Sequence, residues 1–237
     1  RKLDNAKSEF ISIASHQLRT PLTAIKGFIS LILEGSYGTV DSNLKDILNK
    51  VYLSNERLIA LVEDMLNLSR IESGRMEYSF EKVKIEDIAR EVHDTFVIRS
   101  KEKGLKLELK LPENPLPEAM TDKNKIREVI SNLVDNAIKY TLKGWVVLKL
   151  SLSGDKILIS VVDTGIGIPK EEIPYLFNKF SRGKDISRLN TGGTGLGLHV
   201  GKRMVDALQG NLWVESEGAG KGSTFNVEIP LEIKKEK

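Results

Sequence analysis

His16 combines a nucleophilic side chain with a setting in which that side chain would be presented to solvent. It lies in Ser15-His-Gln-Leu-Arg-Thr-Pro-Leu22, where Leu18, Leu22, Ile25, Ile29 and Ile32 recur at alternating spacings of four and three. That is the seam of a coiled coil or a four-helix bundle. With Leu22 and Ile29 at position a, and Leu18, Ile25 and Ile32 at position d, His16 falls at b and Thr20 at f, away from the seam. Four residues separate His16 from Thr20, so the two stack on one helical face. Pro21 has no N–H and is expected to kink the helix one turn beyond His16. A neutral imidazole keeps one ring lone pair near neutral pH and can attack an electrophile without first losing a proton.

A second group of residues suits a nucleotide. Asn132 and Asn136 share a helical face that Lys139 continues. Neutral amide oxygens suit Mg²⁺ whose charge is already offset by phosphate, and the lysine adds a cation for the phosphates. Asp163-Thr-Gly165-Ile-Gly167-Ile168-Pro169 follows an apolar run over 157–162. A carboxylate at a strand end accepts a hydrogen bond of the kind an adenine amino group offers, and the glycines let backbone approach the base. Gly192-Gly193-Thr194-Gly195-Leu196-Gly197-Leu198 opens a helix, where free N–H groups form a cradle for phosphate. Gly220-Lys-Gly222-Ser-Thr-Phe225 reads as a hairpin turn. Each motif alone also has a plain reading as an exposed helix face or a turn.

Together they resemble one family. The octet around His16 is similar to the phosphoacceptor box of sensor histidine kinases, Ser-His-Glu-Leu-Arg-Thr-Pro-Leu, with Gln17 the single departure. The later motifs, in this order, resemble the asparagine box and glycine boxes of that family's ATP-binding domain, and Phe177 and Phe180 resemble its phenylalanine box. The resemblance covers essentially residues 8–230. A Walker loop, Gly-x-x-x-x-Gly-Lys-Ser/Thr, is absent.

The resemblance implies an α-helical hairpin forming a dimeric four-helix bundle, followed by an α/β sandwich of the Bergerat ATP-binding type. It implies ATP and Mg²⁺ as ligands, with Asn136 on the metal, Asn132 assisting and Glu128 steadying the metal's water shell. Lys139 and Tyr140 would contact phosphate and sugar, and Asp163 the adenine. Gly165, Gly167 and Ile168 would shape the base pocket. Residues 173–194 would form a lid in which Arg182 reaches the γ-phosphate, and Gly193, Thr194, Gly195, Leu196 and Gly197 would close over the phosphates. The phosphoryl group would pass from ATP to His16 and then to an aspartate on a response-regulator receiver domain. Thr20 would orient water in the reverse dephosphorylation. Gln17 keeps an acceptor oxygen where the family has a carboxylate but cannot act as a base, so a working kinase of reduced rate is expected. His199 and His93 match no motif and read as structural and surface residues. Two other readings stay open at this level, a dimeric signalling module without catalysis and a Bergerat-fold ATPase that drives conformational change.

These residues need two kinds of scaffold. Residues 1–75 read as two helices joined at Gly35-Ser-Tyr-Gly38, with Asp41 or Ser42 capping the second. The second helix repeats the seam at Leu44, Leu48, Val51, Asn55, Leu58, Val62 and Met65. One hairpin leaves much of this stripe wet, so a homodimer is expected, with Asn55 helping to fix register. Residues 76–237 read as a separate domain, with strands at 76–83, 105–111, 145–152, 156–162, 211–215 and 224–231 and helices at 85–103, 123–140 and 196–208. The 237 residues carry a net charge of +3, no basic run suited to nucleic acid, and no cysteine. No apolar stretch is long enough to span a bilayer, and a cytoplasmic core is expected. The chain begins at Arg1 inside an amphipathic pattern and so reads as a fragment, and any sensor or membrane anchor would lie upstream.

Overall fold

The computed structural model describes residues 2–181 and 195–233. They form two compact units, residues 2–76 with Gly195 and Leu196 in one and Glu77–Ser181 with Gly197–Ile233 in the other.

Two long helices, α1 (Lys2–Leu33) and α2 (Ser42–Glu72), pack along each other in the first unit. α1 continues through Pro21 as one helix. It ends where Gly35 turns left-handed at φ +85°, which lets the N–H groups of Gly35 and Ser36 reach Ile32 O and Leu31 O at 3.1 and 3.0 Å. Asp41 caps α2 by accepting from Leu44 N at 3.0 Å.

The seam divides into two sets. Ile29, Asn55 and Val62 are buried, and Leu22 and Leu48 are half-buried. The alternate set of Leu18, Ile25, Leu44, Val51 and Leu58 stays exposed, Leu18 at 52% and Leu58 at 50%. Two helices can cover only one set. Asn55 donates from Nδ2 to Leu22 O at 2.8 Å. A buried amide left without such a partner costs about 1–3 kcal/mol, so this bond favours the observed register over a slipped one.

The second unit holds β1 (Glu81–Val83), α3 (Ile85–Glu102), β2 (Lys106–Lys110), β3 (Ala119–Thr121), α4 (Lys123–Tyr140), β4 (Trp145–Ser153), β5 (Lys156–Asp163), α5 (Gly197–Ala207), β6 (Asn211–Glu215) and β7 (Ser223–Pro230). Five strands form a sheet in the order β2-β4-β5-β7-β6, antiparallel except for the β2–β4 pair. The layer of α3, α4 and α5 packs against it, α3 on β2, α4 on β4 and β5, and α5 on β6. Apolar rows cross the sheet at Leu150–Ile159–Val227 and Leu148–Val161–Phe225, all buried. The next row in the same register is Val146–Asp163–Ser223, so this buried layer ends in a carboxylate facing a hydroxyl.

Two strand expectations need correction. The run over 76–83 forms a ladder only at Glu81–Val83, because its partner β3 is three residues long. β3 itself was not foreseen; it follows the proline-broken stretch Pro112–Pro117 and is too short to show an alternating pattern.

Candidate functional site

His16, Gln17 and Thr20 are exposed on α1, and Ser15 beside them is buried. Ion pairs Arg19–Glu63 at 3.6 Å and Lys26–Glu56 at 2.6 Å tie α1 to α2 on either side of Pro21. Each is worth at most about 1 kcal/mol at such exposure, so burial of the seam sets the helix rotation and the ion pairs follow it. That rotation leaves the imidazole and the Thr20 hydroxyl on the wet side of the hairpin.

The second cluster is built on α4, whose N-terminus is capped by Asp122. Its carboxylate accepts from Asn124 N, Lys125 N and Ser79 N at 2.8 to 3.0 Å. Every carbonyl in the last turn of α4 has a donor. Thr141 bonds Ala137 O through both N–H and hydroxyl, Lys103 Nζ reaches Ile138 O and Lys139 O at 2.6 and 2.8 Å, and Ile166 N reaches Tyr140 O at 3.2 Å. The helix that carries Asn132, Asn136, Lys139 and Tyr140 is therefore fixed at both ends. Asn136 donates from Nδ2 to Asn132 Oδ1 at 3.3 Å, which orients the two amides together. Lys139 Nζ lies 5.0 Å from the centre of the Tyr140 ring. Gly197 opens α5 against this face: a Cβ there would stand 3.0 Å from Asn132 Oδ1.

Asp163 is buried at the end of β5. Its Oδ1 accepts from Gly165 N at 2.8 Å and its Oδ2 from the Ser223 hydroxyl. The loops around it are closed to side chains. A Cβ on Gly165 would lie 2.6 Å from Tyr140 O, one on Gly167 2.1 Å from Gly218 O, and one on Gly222 2.0 Å from Asp163 O. Ile168 completes this loop and is buried. The arrangement is a set of close-packed glycine loops around one buried carboxylate, an acceptor of the kind that suits a flat base carrying an amino group.

Burial pushes the Asp163 carboxyl above the usual carboxylate range, and the hydrogen bonds from Ser223 and Gly165 pull it part of the way back. The folded state therefore holds this proton more tightly than the unfolded chain does. Its contribution to stability is full below the ordinary aspartate value of 3.8 and is lost as pH rises through the raised value. A bound base donating an amino hydrogen to this carboxylate would show the opposite sign, because the ionised carboxylate is the better acceptor. Affinity for an adenine nucleotide should fall as pH drops through the raised value, and Asp163→Asn should flatten that part of the profile. Titrating both proteins with an ATP analogue across acid pH checks this.

Glu128 lies one turn before Asn132, exposed and 4.0 Å from Lys125 Nζ. Among the described residues no group of three or more His, Cys, Asp or Glu could hold a metal ion by itself. Paired neutral amides fit Mg²⁺, which takes few protein ligands when phosphate supplies the others. Gly195 is left-handed at φ +70° and Leu196 is buried. Arg182, Gly193 and Thr194 lie outside the described residues. His199 donates from Nδ1 to Phe177 O at 2.9 Å and so joins α5 to the segment after the short helix Ile173–Tyr175.

Sequence reasoning missed Lys103, Thr141 and Ser223 as supports of this site. The motif around Gly222, read as a turn, packs directly against Asp163. Only the β5–β7 register reveals that Ser223 faces the carboxylate, and register is not written in local spacing.

Comparison with known proteins adds two family matches. Residues 6–74 match the model described as the His Kinase A (phospho-acceptor) domain, and residues 121–233 that of the histidine kinase-, DNA gyrase B-, and HSP90-like ATPase. The non-motile and phage-resistance protein of Caulobacter vibrioides is 36% identical over 234 residues, 96% of this chain and 27% of that protein. The circadian input-output histidine kinase CikA of Synechococcus elongatus is 36% identical over 228 residues, 95% of this chain and 30% of that protein. Among solved structures, full-length ShkA in complex with AMPPNP matches with a TM-score of 0.75 at 30% identity, over 94% of this chain and 45% of that one. The chain thus spans less than a third of the length of these two curated relatives.

Proposed function

This chain belongs to the sensor histidine kinase family, carrying a phospho-acceptor helix pair and an ATPase-like domain in one polypeptide, and we propose that His16 accepts the γ-phosphoryl group of ATP and passes it to a receiver-domain aspartate. The observation that carries this reading is the exposed His16–Thr20 face on one unit together with the buried Asp163 carboxylate, its glycine loops and the paired asparagines on the other.

In this reading Asp163 accepts from the adenine amino group, and Gly165, Gly167, Ile168 and Gly222 shape the space around the ring. Lys139 and Tyr140 attend phosphate and sugar, and Arg182, Gly193, Thr194, Gly195, Leu196 and Gly197 the outer phosphates. Asn136, with Asn132 and Glu128 beside it, would hold Mg²⁺, which when bound offsets phosphate charge. The His16 lone pair forms an N–P bond as the bond between the γ-phosphorus and ADP oxygen breaks, and the ring proton then leaves to solvent. The N–P bond breaks in turn when a carboxylate oxygen of the receiver aspartate attacks phosphorus. The experiment is direct: chain labelled with γ-labelled ATP should lose label to an added receiver domain, and label that never leaves the chain contradicts the transfer step.

The exposed seam set of Leu18, Ile25, Leu44, Val51 and Leu58 supports a homodimer, since a second hairpin would complete a four-helix bundle over it. Among the described residues no helix is long and apolar enough to cross a membrane. A cytoplasmic location is part of the proposal.

Gln17 and Thr20 give two tests. Gln17 can hold the imidazole by its amide oxygen but cannot take the proton released after attack. General-base contributions run about 10²–10⁴-fold, and water can replace part of this, so Gln17→Glu should speed single-turnover autophosphorylation by roughly tenfold. A rate no faster than the parent's would show the carboxylate to be dispensable. Thr20→Ala should leave autophosphorylation intact and slow dephosphorylation of the phosphorylated receiver by about tenfold or more, the scale of losing one positioned hydrogen bond. An unaltered dephosphorylation rate would remove Thr20 from the mechanism.

A further inference from the structure

The turn between β6 and β7, residues 216–222, contains a hydroxyl that none of the assignments above uses. Ser216 Oγ donates to Gly222 O at 2.7 Å, accepts from Ile168 N at 3.0 Å and accepts from Gly218 N at 3.3 Å. One proton and both lone pairs are thereby engaged. The partners Ile168 and Gly222 belong to the two loops that meet around Asp163, and both are buried.

Backbone bonds already hold the first half of the Asp163 loop to this turn: Gly222 N donates to Gly165 O at 3.2 Å and Gly220 N to Ile166 O. The second half, beyond the left-handed Gly167, is joined to the turn through Ser216. Gly167 is pressed against Gly218 O so closely that no Cβ fits, so a small pivot about Gly167 would move Ile168 relative to the Asp163 carboxylate. Without the Ser216 hydroxyl, a buried N–H and a buried carbonyl both lose their partner, and opening the loop to water is the way to satisfy them.

We infer that Ser216 is a positioning residue of the base pocket, locking the Ile168 half of the loop over Asp163 and thereby setting selectivity for adenine over other purines. The inference rests on the reading of this pocket as an ATP site. It concerns recognition of the base, and the ratio of adenine to guanine nucleotide affinity is its readout.

The test compares the full chain with Ser216→Ala. Affinities for a non-hydrolysable ATP analogue and for GTP as a competitor are measured together with the melting temperature of the nucleotide-free protein. The expected result is ATP-analogue binding weakened roughly three- to tenfold, the scale of one lost hydrogen-bond junction, with GTP affinity unchanged. An adenine-to-guanine ratio equal to the parent's overturns the inference, whether affinity is kept or both nucleotides weaken together as the melting temperature falls. If the parent chain itself binds no ATP analogue, the reading of the pocket fails first, and that outcome is distinct from a parent that binds and a variant that does not differ.

Discussion

Replacing His16 by alanine is expected to abolish covalent labelling of the chain by γ-labelled ATP while leaving affinity for an ATP analogue unchanged. His16 is exposed and its neighbours in the seam do not depend on it, and alanine is the better helix former, so the hairpin should keep its fold. Among the described residues, the groups assigned to the nucleotide lie on α4, β5 and the glycine loops, so binding has no reason to change. The loss of labelling should be that of a deleted nucleophile, roughly 10³-fold or more. Parallel labelling and equilibrium titration of parent and variant check this; label retained by the variant would place the acceptor elsewhere.

Asn136→Ala should weaken Mg²⁺-dependent binding of an ATP analogue by about 10–100-fold, the range for a lost partner to a charged group, and autophosphorylation should fall with it. Asn136 is half-buried and its one described side-chain bond is to Asn132, so the fold should lose no more than about 1.5 kcal/mol. The comparison of interest is the gain in affinity on adding Mg²⁺. An alanine variant that shows the parent's full gain would move the metal ligand to another residue.

The helical half of the molecule was legible because its information is local. Heptad spacing, the cap at Asp41 and the left-handed glycine at Gly35 are each written in a few adjacent residues, and α4 and β6 appear with the expected limits. Spacing also placed His16 and Thr20 on one wet face, since a period of 3.6 fixes relative direction once a seam is found. Spacing did not show which half of the seam the hairpin would cover. Leu22 and Leu18 look alike in sequence, yet one is half-buried and the other exposed, because the choice depends on how α2 lies against α1.

The candidate site around Asp163 was legible in its motifs and not in its supports. Asp163 and its glycines stand together in the chain, whereas Ser223, Ser216 and Lys103 reach the site from strands and helices 36 to 60 residues away in sequence. Those partners depend on sheet register and on the ends of α3 and α4, which no local pattern encodes. β3 escaped for the same reason: three residues pair only because β1 lies beside them.

The central claim is that this chain forms phosphohistidine at His16. Chain incubated with γ-labelled ATP and Mg²⁺, denatured, and split between acid and alkali measures it most directly. Label that survives alkali, is lost in acid and maps to the peptide containing His16 is the predicted result. Acid-stable label on a hydroxyl residue, or steady ATP hydrolysis with no label on the chain, would contradict it.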